Sequence, residues 1–243
     1  MRPVQLVISS EHSGNEIPAQ YASLFESAGA ALNSHRGIDF GSAEIAKTFK
    51  EAFKAQLFET EISRLLVDCN RSLHRKDLFS EFSGVLDEIG KKEILDNYYY
   101  PHRKNVEKYV KEHFNRAMVL HLSIHTFTPY WNDTERGVDI GLLFDELRAH
   151  ETVLCTFWED ELKKQLPSKK ILHNSPYTGA EDGLTAHLRK LFPDDCYMGI
   201  EIEVNQKYAG TEELKTLCMA MIDALKISVS KMNSSFAPLV TTH

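Results

Sequence analysis

Two histidines stand where α/β chains place their chemistry. His125 closes the run Ala117-Met118-Val119-Leu120-His121-Leu122-Ser123-Ile124-His125. Leu120, Leu122 and Ile124 alternate there with His121, Ser123 and His125, a period of two that marks a strand with one apolar and one polar face. His12 is placed alike, because Val4-Gln5-Leu6-Val7-Ile8 runs into Ser9-Ser10-Glu11-His12-Ser13-Gly14. Open α/β sheets bind ligands at the carboxyl ends of their strands. Two strand-end histidines with acids at further element ends point to a metal hydrolase, which uses three protein ligands and keeps one position for water.

The third ligand is a carboxylate with several candidates. Asp39 follows Gly37-Ile38 just ahead of a helical stripe, and aspartate there serves as a ligand or as an N-cap. Glu11 and Glu16 flank His12 and are alternatives. His121 takes a structural role: four strand residues at ~3.3 Å each put it roughly 13 Å from His125. Were the segment helical, His121 and His125 would form a metal pair like that of HExxH proteases, but the alternation argues against a helix and no HExxH occurs.

Further carboxylates and cations fall around this pair. Glu201 and Glu203 in Gly199-Ile200-Glu201-Ile202-Glu203-Val204 share one strand face. A carboxylate on a sheet layer is costly unless paired or beside a metal. One of the two is therefore a candidate general base, the bland alternative being an edge strand with a solvated acidic face. Arg64 precedes, and Asn70-Arg71 follows, a strand candidate over Leu65-Leu66-Val67-Asp68. The guanidinium fork fits a carboxylate, so Asn70-Arg71 suits an acidic substrate. A surface salt bridge is the plainer reading of Arg64 and an equal alternative for Arg71.

The elements that must position these groups alternate in type. Strands are expected at about 4–9, 56–60, 64–68, 118–125, 138–144, 170–172 and 197–204. Helices are expected at about 41–54, 101–114, 147–165 and 183–191, and one opens after Thr211. Ile45, Ala46, Phe49, Ala52 and Phe53 form the stripe of the first helix, and Pro101 suits the first turn of the second. Glu212 and Glu213 favour the N-terminus of the last. Segment 72–98 reads as an irregular excursion, 174–183 as an ordered loop and 232–243 as a loose tail. The alternation predicts an α/β three-layer sandwich with a mostly parallel mixed sheet flanked by helices, as one domain over 1–243.

Bulk properties narrow the function. The chain has 243 residues, 42% hydrophobic and 26% charged, with a net charge of -7. No basic stretch resembles a nucleic-acid stripe, so no nucleic acid is expected as partner. No apolar run reaches the roughly 20 residues of a membrane helix, and no membrane partner is expected. The first strand begins too early to leave room for a signal peptide. Cys69, Cys155, Cys196 and Cys218 form no CxxC pair and read as reduced thiols of a cytoplasmic protein. Nothing in the sequence specifies an oligomeric state.

In this order the pieces resemble the N-formylglutamate amidohydrolase family. The matching stretches are Glu11-His12-Ser13-Gly14-Asn15 with Pro18, Asp39-Phe40-Gly41, Ser63-Arg64, Asp68-Cys69-Asn70-Arg71 and His125-Thr126-Phe127. They continue with Asp139-Ile140-Gly141, Asn174-Ser175-Pro176-Tyr177, Gly179, Asp182-Gly183 and Gly199-Ile200-Glu201-Ile202. The resemblance spans about residues 4–210 and rests on the ordered set, each piece being short. It implies a zinc-carboxypeptidase-like fold with one Zn2+ held by His12, His125 and, as third ligand, Asp39. It implies Glu201 as general base and acid and Asn70 and Arg71 as the grip on a substrate carboxylate; for such a reaction Arg64 is expected to serve as a cation for the oxyanion and Tyr177 to close over the site. The implied reaction is hydrolysis of a small acidic N-acyl amino acid, foremost N-formyl-L-glutamate to formate and L-glutamate. Two departures stand out: the His-x-x-Glu of carboxypeptidases is here His12 and Asn15, and Thr126 replaces a serine common in the family. The alternatives are a metallopeptidase or amidase acting on peptide or cell-wall substrates, and a relative that binds an acidic ligand without turnover.

Overall fold

The computed structural model describes residues 2–235. Along the chain the strands and helices are β1 (Val4–Ser10), α1 (Gly29–Leu32), α2 (Ser42–Phe53), β2 (Gln56–Glu59), α3 (Glu88–Ile94) and α4 (Tyr100–His113). There follow β3 (Met118–Phe127), β4 (Tyr130–Trp131), β5 (Thr134–Glu135), β6 (Ile140–Leu143) and α5 (Ala149–Gln165). The chain continues with β7 (Ile171–His173), α6 (Leu184–Leu191), β8 (Tyr197–Asn205) and α7 (Glu212–Ser235).

Six strands form one sheet in the order β2-β1-β3-β8-β6-β7. Neighbours are parallel except at β6 and β8, which run antiparallel. Helices cover both faces, giving the expected three-layer α/β sandwich. Ile45 and Phe49 of α2, Leu154 and Trp158 of α5 and Leu217 and Met221 of α7 pack with Leu120, Leu122, Ile124, Ile200 and Ile202 into the largest apolar core. Val106 and Val110 of α4 and Leu184 and Leu188 of α6 pack with Val7, Val119 and Tyr197 on the other face.

The alternation on β3 acquires its meaning here. Parallel strands covered on both faces usually read as continuous apolar runs. On β3 the even residues do enter the main core, whereas His121, Ser123 and His125 face the α4/α6 layer and remain buried. Glu201 and Glu203 of β8 lie in register with Ser123 and His125. β8 is a central strand, so the solvated acidic edge does not occur.

Two expectations need correction. Residues 64–68 form a turn, not a strand: Leu66 N donates to Ser63 O at 2.9 Å. Leu65, Leu66 and Val67 are buried in a second core with Tyr21, Phe25, Leu78, Ile94 and Tyr99, and an apolar run signals burial without specifying a strand. Segment 72–98, expected to be irregular, contains α3, whose Asp87 side chain caps Gly90 N at 2.8 Å. A π turn over 95–99 then leads directly into α4. Within the expected loose tail, helix remains to Ser235, and 236–243 lie outside the described residues. No helix among the described residues is long and apolar enough to cross a membrane.

Candidate metal centre and active site

The loop after β1 delivers His12, the turn before α2 delivers Asp39, and the end of β3 delivers His125. The three meet although they are far apart in sequence. One ligand atom from each lies within 4.8 Å of the others, and all three side chains are buried. Asp39 is not the helix cap: Gly41, at φ 88°, occupies that position. The Asp39 amide donates to His12 O at 3.0 Å, which fixes the two loops together.

Both rings offer Nδ1 to one oxygen. Asp39 Oδ2 lies 3.3 Å from His12 Nδ1 and 3.1 Å from His125 Nδ1. Behind the rings stand other acceptors. His12 Nε2 is 2.7 Å from Asp68 Oδ1, and His125 Nε2 is 2.9 Å from Ser123 Oγ and 3.2 Å from Glu11 Oε2. With a proton on each Nε2, donated to these acceptors, the Nδ1 lone pairs would face Asp39. Three electron-rich atoms so directed repel one another unless a cation or protons lie between them. Two imidazole nitrogens and a carboxylate, backed by carboxylates, are a donor set that fits a divalent metal.

Electrostatics follow from the same contacts. Burial works to raise the carboxylates, yet His12, His125 and Arg64 hold Asp39 well below the usual range. Asp68 is held down chiefly by Arg64 and His12 against its burial. Glu11 is held down by His102 and His125, again against burial. Glu203 is the exception. Burial pushes it up to about 8 despite His125, with Asp39 and Glu201 adding to the rise, and its Oε2 has no hydrogen-bond partner.

A cavity of about 950 Å³ opens over this cluster. Arg64, Asn70, Arg71, Tyr177, Glu201 and Glu203 all line it. Arg64 spans two carboxylates, donating through Nη2 to Asp68 Oδ2 at 2.8 Å and through Nη1 to Asp39 Oδ1 at 3.3 Å. Glu201 Oε1 accepts from Thr185 Oγ1 at 2.6 Å. Asn70 Oδ1 accepts from Leu184 N at 2.7 Å, pinning the start of α6. Arg71 is half-buried, 3.5 Å from Asp77 and 3.9 Å from Asp68. The alternatives to Asp39 are elsewhere: Glu11 stands behind His125, and Glu16 is exposed in a backbone bridge with Ile62.

The N-formylglutamate amidohydrolase family model matches residues 4–209. The chain belongs to this family. It is thus an amidohydrolase, acting on the C–N amide bond of N-acyl amino acids. Two solved structures are similar in fold. Gene product Atu2144 from Agrobacterium tumefaciens is 24% identical with a TM-score of 0.82, over 94% of this chain and 92% of that one. An N-formylglutamate amidohydrolase from Ralstonia eutropha JMP134 is 16% identical with a TM-score of 0.69, over 96% of each chain. No curated protein matches this chain.

For a member of the N-formylglutamate amidohydrolase family, several supporting residues escaped the sequence reading. Asp68, Ser123 and His102 surround the histidines without lining them up in sequence. Ser123 was legible in principle, since it shares the polar face of β3. Arg136 was not: its guanidinium lies 5.0 Å from the Tyr177 ring, 5.1 Å from Trp131 and 5.7 Å from Phe127, and it donates to Tyr177 Oη at 2.8 Å. This stack steadies Tyr177 and Trp131 at the cavity rim.

Proposed function

We propose that the chain is a zinc-dependent enzyme that hydrolyses N-formyl-L-glutamate to formate and L-glutamate. The observation that carries this reading is the meeting of His12, Asp39 and His125 beneath one cavity that Glu201, Asn70 and Arg71 also line. The three buried ligands would hold the ion. When bound, zinc supplies Lewis acidity, lowering the pKa of water toward about 7 and polarising a carbonyl.

The chain's own groups then divide the remaining work. Glu201, steadied by Thr185, takes a proton from the attacking water. The new C–O bond forms as negative charge gathers on the formyl oxygen, which faces the Arg64 guanidinium. Glu201 returns its proton to the amide nitrogen as the C–N bond breaks, so the amine leaves neutral. Arg71 with Asn70 holds the substrate carboxylate. Tyr177 covers the outer side and limits access of bulk water. The four cysteines are free and buried, which suits a reducing cytoplasm.

Cavity size favours a second reading. About 950 Å³ stands at the upper end of the roughly 300–1,000 Å³ typical of pockets for drug-sized ligands. A longer acyl group or a peptide would fill it better than a formyl group. A substrate panel separates the two: N-formyl-, N-acetyl- and longer N-acyl-glutamates beside dipeptides. Highest kcat/KM on the formyl compound supports the first reading. A preference for longer acyl groups or dipeptides moves the assignment to an acylase or peptidase.

A further inference from the structure

The two metal-site histidines are held from behind in different ways. Asp68, behind His12, is itself fixed by the Arg64 guanidinium at 2.8 Å and by the Asn70 amide at 2.9 Å. Glu11, behind His125, has neither. Its Oε2 accepts from Ser123 Oγ at 2.7 Å and lies 3.2 Å from His125 Nε2, while its Oε1 lies 3.2 Å from His102 Nε2. Glu11 is buried completely, and without His102 its Oε1 would be left buried without its partner.

We infer that His102 is a positioning residue for the metal centre, acting through Glu11 to fix the orientation of His125. The path is continuous: His102 Nε2 to Glu11 Oε1, across the carboxylate to Oε2, and on to Ser123 Oγ and His125 Nε2. His102 projects from the first turns of α4, a helix whose Val106 and Val110 are locked into the core under the sheet. The anchor is therefore rigid. Its other side faces a separate cavity of about 330 Å³, lined also by Thr60, Asn97 and Asn105. His102 is absent from the lining of the large cavity over His12 and His125, and it meets the site's network at Glu11. A second-sphere carboxylate raises the basicity of a ligating histidine and fixes its ring, and the Oε1 side of the Glu11 carboxylate is held by His102.

This inference rests on the metal reading of His12, Asp39 and His125. The test measures zinc affinity of the full-length chain by competition with a chromophoric chelator, for the wild type, His102→Gln, His102→Ala, Glu11→Gln and the double variant Glu11→Gln/His102→Ala. His102→Ala is expected to weaken zinc about 10–100-fold. His102→Gln, which keeps a donor near the Nε2 position, restores affinity to within a few-fold of wild type. In the Glu11→Gln background, removal of His102 produces no further loss, because the coupled pair is non-additive. Wild-type affinity in His102→Ala, or two additive losses in the cycle, overturns the positioning role while leaving the metal site standing. If His102→Ala does not fold, His102→Leu, which keeps bulk without a donor, takes its place: wild-type zinc affinity in it would overturn the role. A wild-type chain that takes up no zinc removes the metal reading and this inference together.

Discussion

His12 Nε2 lies 2.7 Å from Asp68 Oδ1, and both groups are buried. A proton on Nε2 donated to Asp68 would leave His12 Nδ1 as the acceptor that faces Asp39 at 3.3 Å. Asp68→Asn should therefore weaken zinc about 10–100-fold, since outer-shell carboxylates contribute that much to affinity. Chelator competition measures it. Unchanged affinity would remove Asp68 from the support of the metal.

Glu201 faces the cavity with one oxygen held by Thr185. Glu201→Gln should retain zinc and lose about 10²–10⁴-fold in kcat, the usual range for a general acid–base group. Steady-state kinetics beside metal analysis decide it. Retention of the wild-type rate takes Glu201 out of the mechanism and leaves Glu203, in register with His125 on the same face, as the carboxylate to test.

Gly183 has φ 115°, and a Cβ there would come within 2.8 Å of Glu201 Oε1 and 3.1 Å of Asn70 Oδ1. Only glycine allows the start of α6 to approach both groups. Gly183→Ala should cost about 1–3 kcal/mol of stability from backbone strain. It should also lower kcat at least tenfold by displacing Glu201, with zinc content retained. Full activity in the alanine variant would show that Glu201 does not depend on this approach.

His121 bridges Ser9 Oγ at 2.7 Å and Tyr197 Oη at 2.8 Å at complete burial. Burial pushes it down to about 4. The unfolded chain takes up the proton near the ordinary value of about 6.5, whereas the folded chain resists until about 4. Stability from this residue is therefore full above that ordinary value and declines as pH falls from about 6.5 to about 4. Urea unfolding of His121→Gln should show a deficit against wild type at pH 7 that narrows by about 2 kcal/mol at pH 5. A gap constant with pH contradicts the buried neutral imidazole.

The parts of the site that sequence revealed are those tied to strand ends. His12 and His125 were legible because alternation located the ends of β1 and β3, and the polar face of β3 predicted that His121 would not join them. Asp39 was ambiguous because cap and ligand use the same residue type. The backbone separates the two, since Gly41 occupies the cap position of α2 and the Asp39 carboxylate lies beside His12 and His125. Asp68 was hidden by the run Leu65-Leu66-Val67, whose burial belongs to a second core under a turn. His102 is 91 residues from Glu11. Such a pairing arises only when α4 packs beside β1, and no local pattern encodes it.

On the proposed reading, His12, Asp39 and His125 hold a catalytic zinc in a deformylating amidohydrolase. The direct measurement is metal content of the purified chain together with formate release from N-formyl-L-glutamate, before chelation, after it and after zinc is restored. About one zinc per chain, with release abolished by the chelator and recovered on adding zinc, is the expected result. Formate release that survives complete removal of metal would contradict the claim.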